Sequence, residues 1–166
     1  MTRIRKFAAS VVVTSLLGIA GTAVSVVPAQ AAGCTGFSCA GHDPNVEACS
    51  VASTTTSSSS LAVVQNRFSQ NCRSNWVRGE LTQQGFNNGD SIIIFIQTTD
   101  SRGNFESQCY PGPNNTGHLI ENCSGATYRS TSFAFSDMVD GTNVTAAILD
   151  VFDSSGNLIQ QLETDQ

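Results

Sequence analysis

The residues with the most chemistry in this 166-residue chain are six cysteines, Cys34, Cys39, Cys49, Cys72, Cys109 and Cys123. The first four are separated by four, nine and 22 residues, so the Cys-x-x-Cys knuckles of zinc sites are absent. An even number of cysteines without metal spacing reads as three disulfides formed in an oxidising compartment. Cys109 and Cys123 enclose Tyr110-Pro111-Gly112-Pro113-Asn114-Asn115-Thr116-Gly117-His118, the composition of an exposed loop. They are expected to close it on each other, a constraint of about 3 kcal/mol in the chain-entropy estimate. Among Cys34, Cys39, Cys49 and Cys72 all three connectivities stay open.

The remaining reactive side chains form weaker constellations. Gly36-Phe37-Ser38-Cys39-Ala40 is one residue short of a nucleophile elbow, and Ser38 lacks the preceding strand and following helix that such an elbow needs. His42 and His118 are the two histidines. His42 beside Asp43 and near Glu47, or His118 near Glu121, would suit acid–base or metal chemistry, but both lie in turn-rich segments and read first as solvated. Asp140, Asp150 and Asp153 would make a calcium site only if they gathered at one end of a sheet, and no loop has EF-hand spacing. Asn114, Asn122 and Asn143 begin glycosylation sequons, which read as accidental in an exported bacterial protein. Arg73 and Trp76 are the candidate ligand contacts: an exposed indole flanked by Arg73 and Arg78 stacks on a sugar or peptide, whereas a buried one plugs the core. No catalytic, cofactor-binding or metal-binding set is expected.

The amino terminus sets the compartment. Arg3, Arg5 and Lys6 precede an uncharged apolar run, Phe7 to Val27, then Pro28 and the small-x-small sequence Ala29-Gln30-Ala31. Residues 1–31 therefore read as a secretory signal peptide. A retained membrane anchor is the first alternative, although the run is near the lower limit for a span. The second is lipidation of Cys34 after Ala31-Ala32-Gly33, which would strand an odd thiol. Cleavage removes three of the eight basic residues and none of the 13 acidic ones, moving the formal net charge from −5 to −8. The five remaining cations are Arg67, Arg73, Arg78, Arg102 and Arg129. That balance disfavours nucleic acid and anionic membranes as partners. The absence of lysine from the cleaved chain excludes Schiff-base chemistry.

The elements that must position these residues are strands. Residues 33–50 form a cysteine-rich cap punctuated by glycine and proline, too poor in apolar residues to hold its shape by burial. Val51 to Ser60 reads as a polar strand turning through Ser57–Ser60 into a second strand, Leu61 to Phe68, and Cys72 to Leu81 as a third, with Trp76 as a core plug and Arg73, Arg78 and Glu80 solvated. Asn87-Asn88-Gly89-Asp90 reads as a turn. Ile92 to Ile96 is a continuous β-branched and aromatic run, expected as a central strand covered on both faces. Asp100-Ser101-Arg102-Gly103-Asn104 and Asp153-Ser154-Ser155-Gly156-Asn157 share one pattern and read as hairpin turns. Thr127 to Phe135 alternates weakly, and Val144 to Phe152 pairs with Leu158 to Leu162. With turn signals about every ten residues and no 3.6-residue period, the chain is expected to be all-β. Residues 32–166 should form one small antiparallel sandwich or barrel stabilised by disulfides, preceded by the signal-peptide helix.

Gly33-Cys34, Cys39, Asp43-Pro44, Cys49 and the Cys72-x-x-x-Trp76-x-Arg78 element together resemble the YjfA-like family of secreted Gram-positive proteins, a domain of unknown function. Phe135-Ser136-Asp137-Met138-Val139 is similar to that family's aromatic-x-x-Met-Val segment. The likeness spans Cys34 to Asp150; the Cys109 and Cys123 pair and the Ser/Thr run depart from the family pattern. It implies a secreted domain and brings no activity. The expected function is a non-catalytic extracellular module for an unidentified extracellular or cell-wall ligand, with no cofactor and no membrane span after cleavage. The alternatives are a small extracellular hydrolase and a protease inhibitor presenting the 109–123 loop.

Overall fold

The computed structural model describes residues 33–110 and 127–166. Residues 1–31, expected as a signal peptide, and Cys123, His118, Glu121, Asn114 and Asn122 lie outside the described residues. Two antiparallel sheets pack as a sandwich, as expected for the all-β class. One sheet runs β1 (Ser53–Ser58), β2 (Ala62–Ser69), β3 (Ser74–Leu81) and β6 (Ala134–Phe135), with β7 (Val139–Asp140) pairing further along β3. The other runs β5 (Phe105–Tyr110), β4 (Ser91–Thr99), β8 (Thr145–Phe152) and β9 (Leu158–Asp165). Among the described residues no helix is long and apolar enough to cross a membrane.

Period-two patterning assigns the faces. Ala62 and Val64 on β2, Val77 and Leu81 on β3, Ile92, Ile94 and Ile96 on β4, and Ala147, Leu149 and Val151 on β8 form the shared core. Gly79, on the same face of β3, lets the sheets close: a Cβ there would lie 2.7 Å from Ile94 Cγ2 and 2.8 Å from Leu149 Cδ1. β4 is central, but only one of its faces is fully covered; Ile93 and Phe95 on the other are half-buried. The unbroken apolar run at 92–96 hides this alternation.

The turn expected at Asn87–Asp90 falls at Gly89 and does not join two strands directly. It ends a short helix, α1 (Gln83–Asn88), that carries the chain from one sheet to the other. The Thr82 hydroxyl accepts the Gly85 N–H, and Gly89, at φ 86°, donates back to the Gly85 and Phe86 carbonyls. The Asp100 and Asp153 segments do form matching turns. Asp100 Oδ1 accepts the Arg102 and Asn104 N–H groups, Asp153 Oδ1 accepts those of Ser155 and Asn157, and Gly103 and Gly156 sit at φ 85° and 82°.

Polar groups also tie the sheets together. Buried Asn66 Nδ2 donates to the Thr145 carbonyl and hydroxyl, each at 2.9 Å, and Asn75 Nδ2 donates to Asn66 Oδ1 at 2.8 Å. Glu106, fully buried on β5, accepts the Asp140 N–H of β7 at 3.0 Å through Oε2, while Oε1 has no partner among the described residues. Burial pushes the Glu106 carboxyl up to about 7; Asp140 and Asp100 add to the shift, while the Asp140 N–H and Arg102 oppose it. Burial also disfavours ionised Asp100, but hydrogen bonds from Asn104 and Arg102 outweigh it, and its carboxyl is lowered. Asp140 is likewise lowered, burial being outweighed by bonds from Ser101 and Thr142.

These shifts have opposite consequences for stability. The raised Glu106 contributes fully below its ordinary value of 4.5, and that contribution is lost as pH rises through about 7. The lowered aspartates contribute above their ordinary 3.8 and lose that as pH falls. Thermal unfolding across pH 5 to 8 should therefore show declining stability, with a Glu106 component on the order of 3 kcal/mol. Glu106→Gln should flatten that decline; an unchanged slope would remove Glu106 as its cause.

Candidate functional site

The cap is held to the sheet by bonds rather than by an apolar face. Cys34 pairs with Cys39 around a 3-10 turn, Gly36–Cys39, and Cys49 pairs with Cys72 in the hairpin between β2 and β3. Cys109 is also disulfide-bonded, and its expected partner Cys123 lies outside the described residues. Backbone bonds complete the attachment: Gly36 N–H to the Cys72 carbonyl, Gly41 N–H to that of Met138, and Met138 N–H to that of His42. Arg102, paired with Asp100 at 2.9 Å, lays its guanidinium 3.3 Å from the centroid of the Phe37 ring.

What the cap covers is Trp76. Val77, Gly79 and Leu81 of β3 face the other sheet, so Trp76 and Arg78 occupy the outer side. Trp76 is 4% exposed, packed with Cys39, Cys49, Cys72 and Met138 in a second core separate from the sandwich interior. It is thus a plug, but of the cap rather than of the sandwich. Arg73 lies elsewhere: it is exposed in the β2–β3 hairpin at φ 50°, and it does not line the crevice beside Trp76.

That crevice, about 370 Å³, opens where the cap meets the outer face of the sheet. Pro44, Asn45, Cys49 and Val51 form the cap side; Arg67, Trp76 and Arg78 form the floor; Phe133 and Phe135 close the far wall. The strand register places Arg67 opposite Trp76 and Gln65 opposite Arg78, so the two arginines are diagonal neighbours on one face. Arg67 donates to Gln65 Oε1 at 3.2 Å, and Arg78 stacks 3.4 Å from the Phe133 centroid. Neither forms an ion pair with a described carboxylate. Burial and then the like charge of Arg78 lower the Arg67 pKa. Glu80, two residues along β3, feels Arg78 but is raised by its own burial. Two guanidinium forks, one of them stacked on an aromatic ring, with no acid among the lining residues, can hold an anionic group and a ring or carbon chain beside it. The residues that matter here are Arg67 and Arg78. Arg78 had read as solvated, and only the pairing of β2 with β3 brings Arg67 to it.

The other sequence candidates have local structural partners. Ser38 Oγ donates to the Thr35 carbonyl and accepts the Thr35 N–H, fastening the 3-10 turn. His42 Nδ1 meets Glu47 Oε1 at 2.8 Å on the exposed side of the cap, and Asp43 Oδ1 accepts the Asn45 N–H. Cys34 approaches His42 and Glu47 closely enough to share an ion, but its sulfur is committed to Cys39. Asp140, Asp150 and Asp153 do not converge: Asp140 is held beside the Asp100 turn, Asp153 by its own turn after β8, and Asp150 accepts from Gln161. Asn143 Nδ2 is engaged with the Thr99 and Asp100 carbonyls. No known protein family, curated protein or solved structure matches this chain.

Because the Cys49–Cys72 bridge fastens the cap, the double variant Cys49→Ser/Cys72→Ser should lose about 3 kcal/mol of stability, the chain-entropy cost of opening a loop of this length. Trp76 emission in the folded variant should shift to the red as the indole gains water. An unshifted spectrum would show that the cap stays closed without the bridge.

Proposed function

We propose that this is a secreted, non-catalytic module that captures an extracellular or cell-wall ligand in the crevice between cap and sheet. The observation that carries the reading is the pair Arg67 and Arg78, side by side in the crevice floor, Arg78 stacked on Phe133 and neither in an ion pair with a described carboxylate. Two like charges held together on a half-buried surface are costly unless something binds them. The concave shape and mixed polar and aromatic lining are those of a recognition site.

Secretion rests on the charged, apolar and small-residue sequence at positions 1–31 and is supported by the disulfide-bonded cap. The likeness to YjfA-like proteins rests on the cap residues Gly33-Cys34, Cys39, Asp43-Pro44 and Cys49, on Cys72, Trp76 and Arg78, and on Phe135 to Val139, and agrees with an extracellular role. A hydrolase would need a histidine within reach of a nucleophile; His42, the histidine among the described residues, is instead bonded to Glu47 at the cap surface.

Asn45 lines the crevice, is exposed, and makes no side-chain hydrogen bond among the described residues, so Asn45→Trp fills the mouth without removing an internal contact. In pull-downs at moderate salt against purified cell wall and whole secretome, the unmodified protein should be retained and Asn45→Trp should not. Equal retention would place the binding surface elsewhere, and retention of neither on any material would end the module reading.

A further inference from the structure

We propose that the crevice selects an oxyanion, a carboxylate or phosphate carried on a saccharide or polyol, gripped by Arg67 and Arg78 with the attached carbon skeleton lying against Phe133 and Phe135. This rests on the crevice being the binding surface and adds the chemical class of what enters it. The cleaved chain would carry a net charge of −8, so its general field repels anions. A local anion site must therefore overcome that field through short-range contacts.

The lining has the means. Arg78 is oriented by stacking on Phe133, and Arg67 by its bond to Gln65, so neither fork must be ordered on binding. Each guanidinium presents parallel N–H donors that match two oxygens of one carboxylate or phosphate. The lining residues include no acid to compete; of the nearest acidic side chains along the chain, Asp43 and Glu47 of the cap bond to the Asn45 N–H and His42, and Glu80 and Asp137 have their charge disfavoured by burial. Arg67 loses hydration and faces a second cation, and an anion in the crevice relieves that repulsion. Phe133 and Phe135, both half-buried, leave ring surface for an apolar skeleton.

Trp76 is the single tryptophan of the chain and lies in the crevice floor, so its fluorescence reports occupancy. The purified, oxidised protein is titrated with trigalacturonate, with glycerol 1-phosphate and, as a neutral control, with galactotriose. A saturable change with trigalacturonate, glycerol 1-phosphate or both is expected, and the two arms tell a carboxylate from a phosphate source. Galactotriose should give none. Affinity should fall at least tenfold in Arg67→Gln and in Arg78→Gln, and should weaken as salt is raised. Without ligand, the thermal midpoint of Arg67→Gln should equal or exceed that of the parent, since a like charge is removed. An equal response to galactotriose, no saturable response to either acid, or unaltered affinity in both variants would overturn the proposal. So would a lowered midpoint in Arg67→Gln, which would make the arginine pair structural. Failure of these titrations while Asn45→Trp still abolishes retention on the wall would leave the crevice as the binding surface and exclude only the anion chemistry.

Discussion

The structure depends on one contact: Trp76 faces away from the sandwich interior and is buried under a segment that has almost no apolar surface of its own. A tryptophan on the outer face of a sheet would normally be a sticky patch. Here Cys49–Cys72 draws the cap across it, Cys34–Cys39 tightens the turn above it, and Met138 fills the remaining side. The protein therefore has two hydrophobic centres. One is built from valine, isoleucine, leucine and alanine side chains between the sheets. The other is built from an indole, cystine sulfur and a thioether. The crevice exists because the second centre stops short of Arg67 and Arg78, leaving a step between cap and sheet.

Charge is distributed as unevenly as apolar surface. Asp100, Glu106 and Asp140 are all buried near one end of the sandwich, where backbone N–H groups and Arg102 receive them. Arg67 and Arg78, on the outer face, form no ion pair with a described carboxylate. Arg102 connects the two arrangements: it pairs with Asp100 below and stacks on Phe37 of the cap above. The end of the sandwich whose ionisation responds to pH thus also supports the cap from the side.

Local signals in the sequence predicted local structure well. The two Asp-x-x-Gly-Asn turns were legible because the aspartate, the glycine and the asparagine each perform their task within five residues. The strands around them followed from runs of β-branched residues. Helix α1 was missed because so few residues show no period, and its only marks, Thr82 and Gly89, also suit a strand-to-strand turn. The side of β3 on which Trp76 lies was not legible either: Ser74 to Val77 are all buried, so polarity does not alternate there. The arginine pair is a product of register, since Arg67 and Arg78 meet only when β2 and β3 fold together. Glu106 belongs to the same class. Nothing in Phe105-Glu106-Ser107-Gln108 marks a carboxyl that turns inward between two sheets.

The outermost strand of the first sheet, β1, reads Ser-Thr-Thr-Thr-Ser-Ser and touches the opposite sheet through Thr55 Oγ1 on the Asp165 carbonyl. Among the described residues its free side has no neighbouring strand. An open margin of this kind is where chains add end on end into fibrils, driven by main-chain bonding together with the sequestering of greasy side chains. Six hydroxyl residues supply the first inducement and withhold the second. A border of this composition offers an added strand no apolar surface to cover.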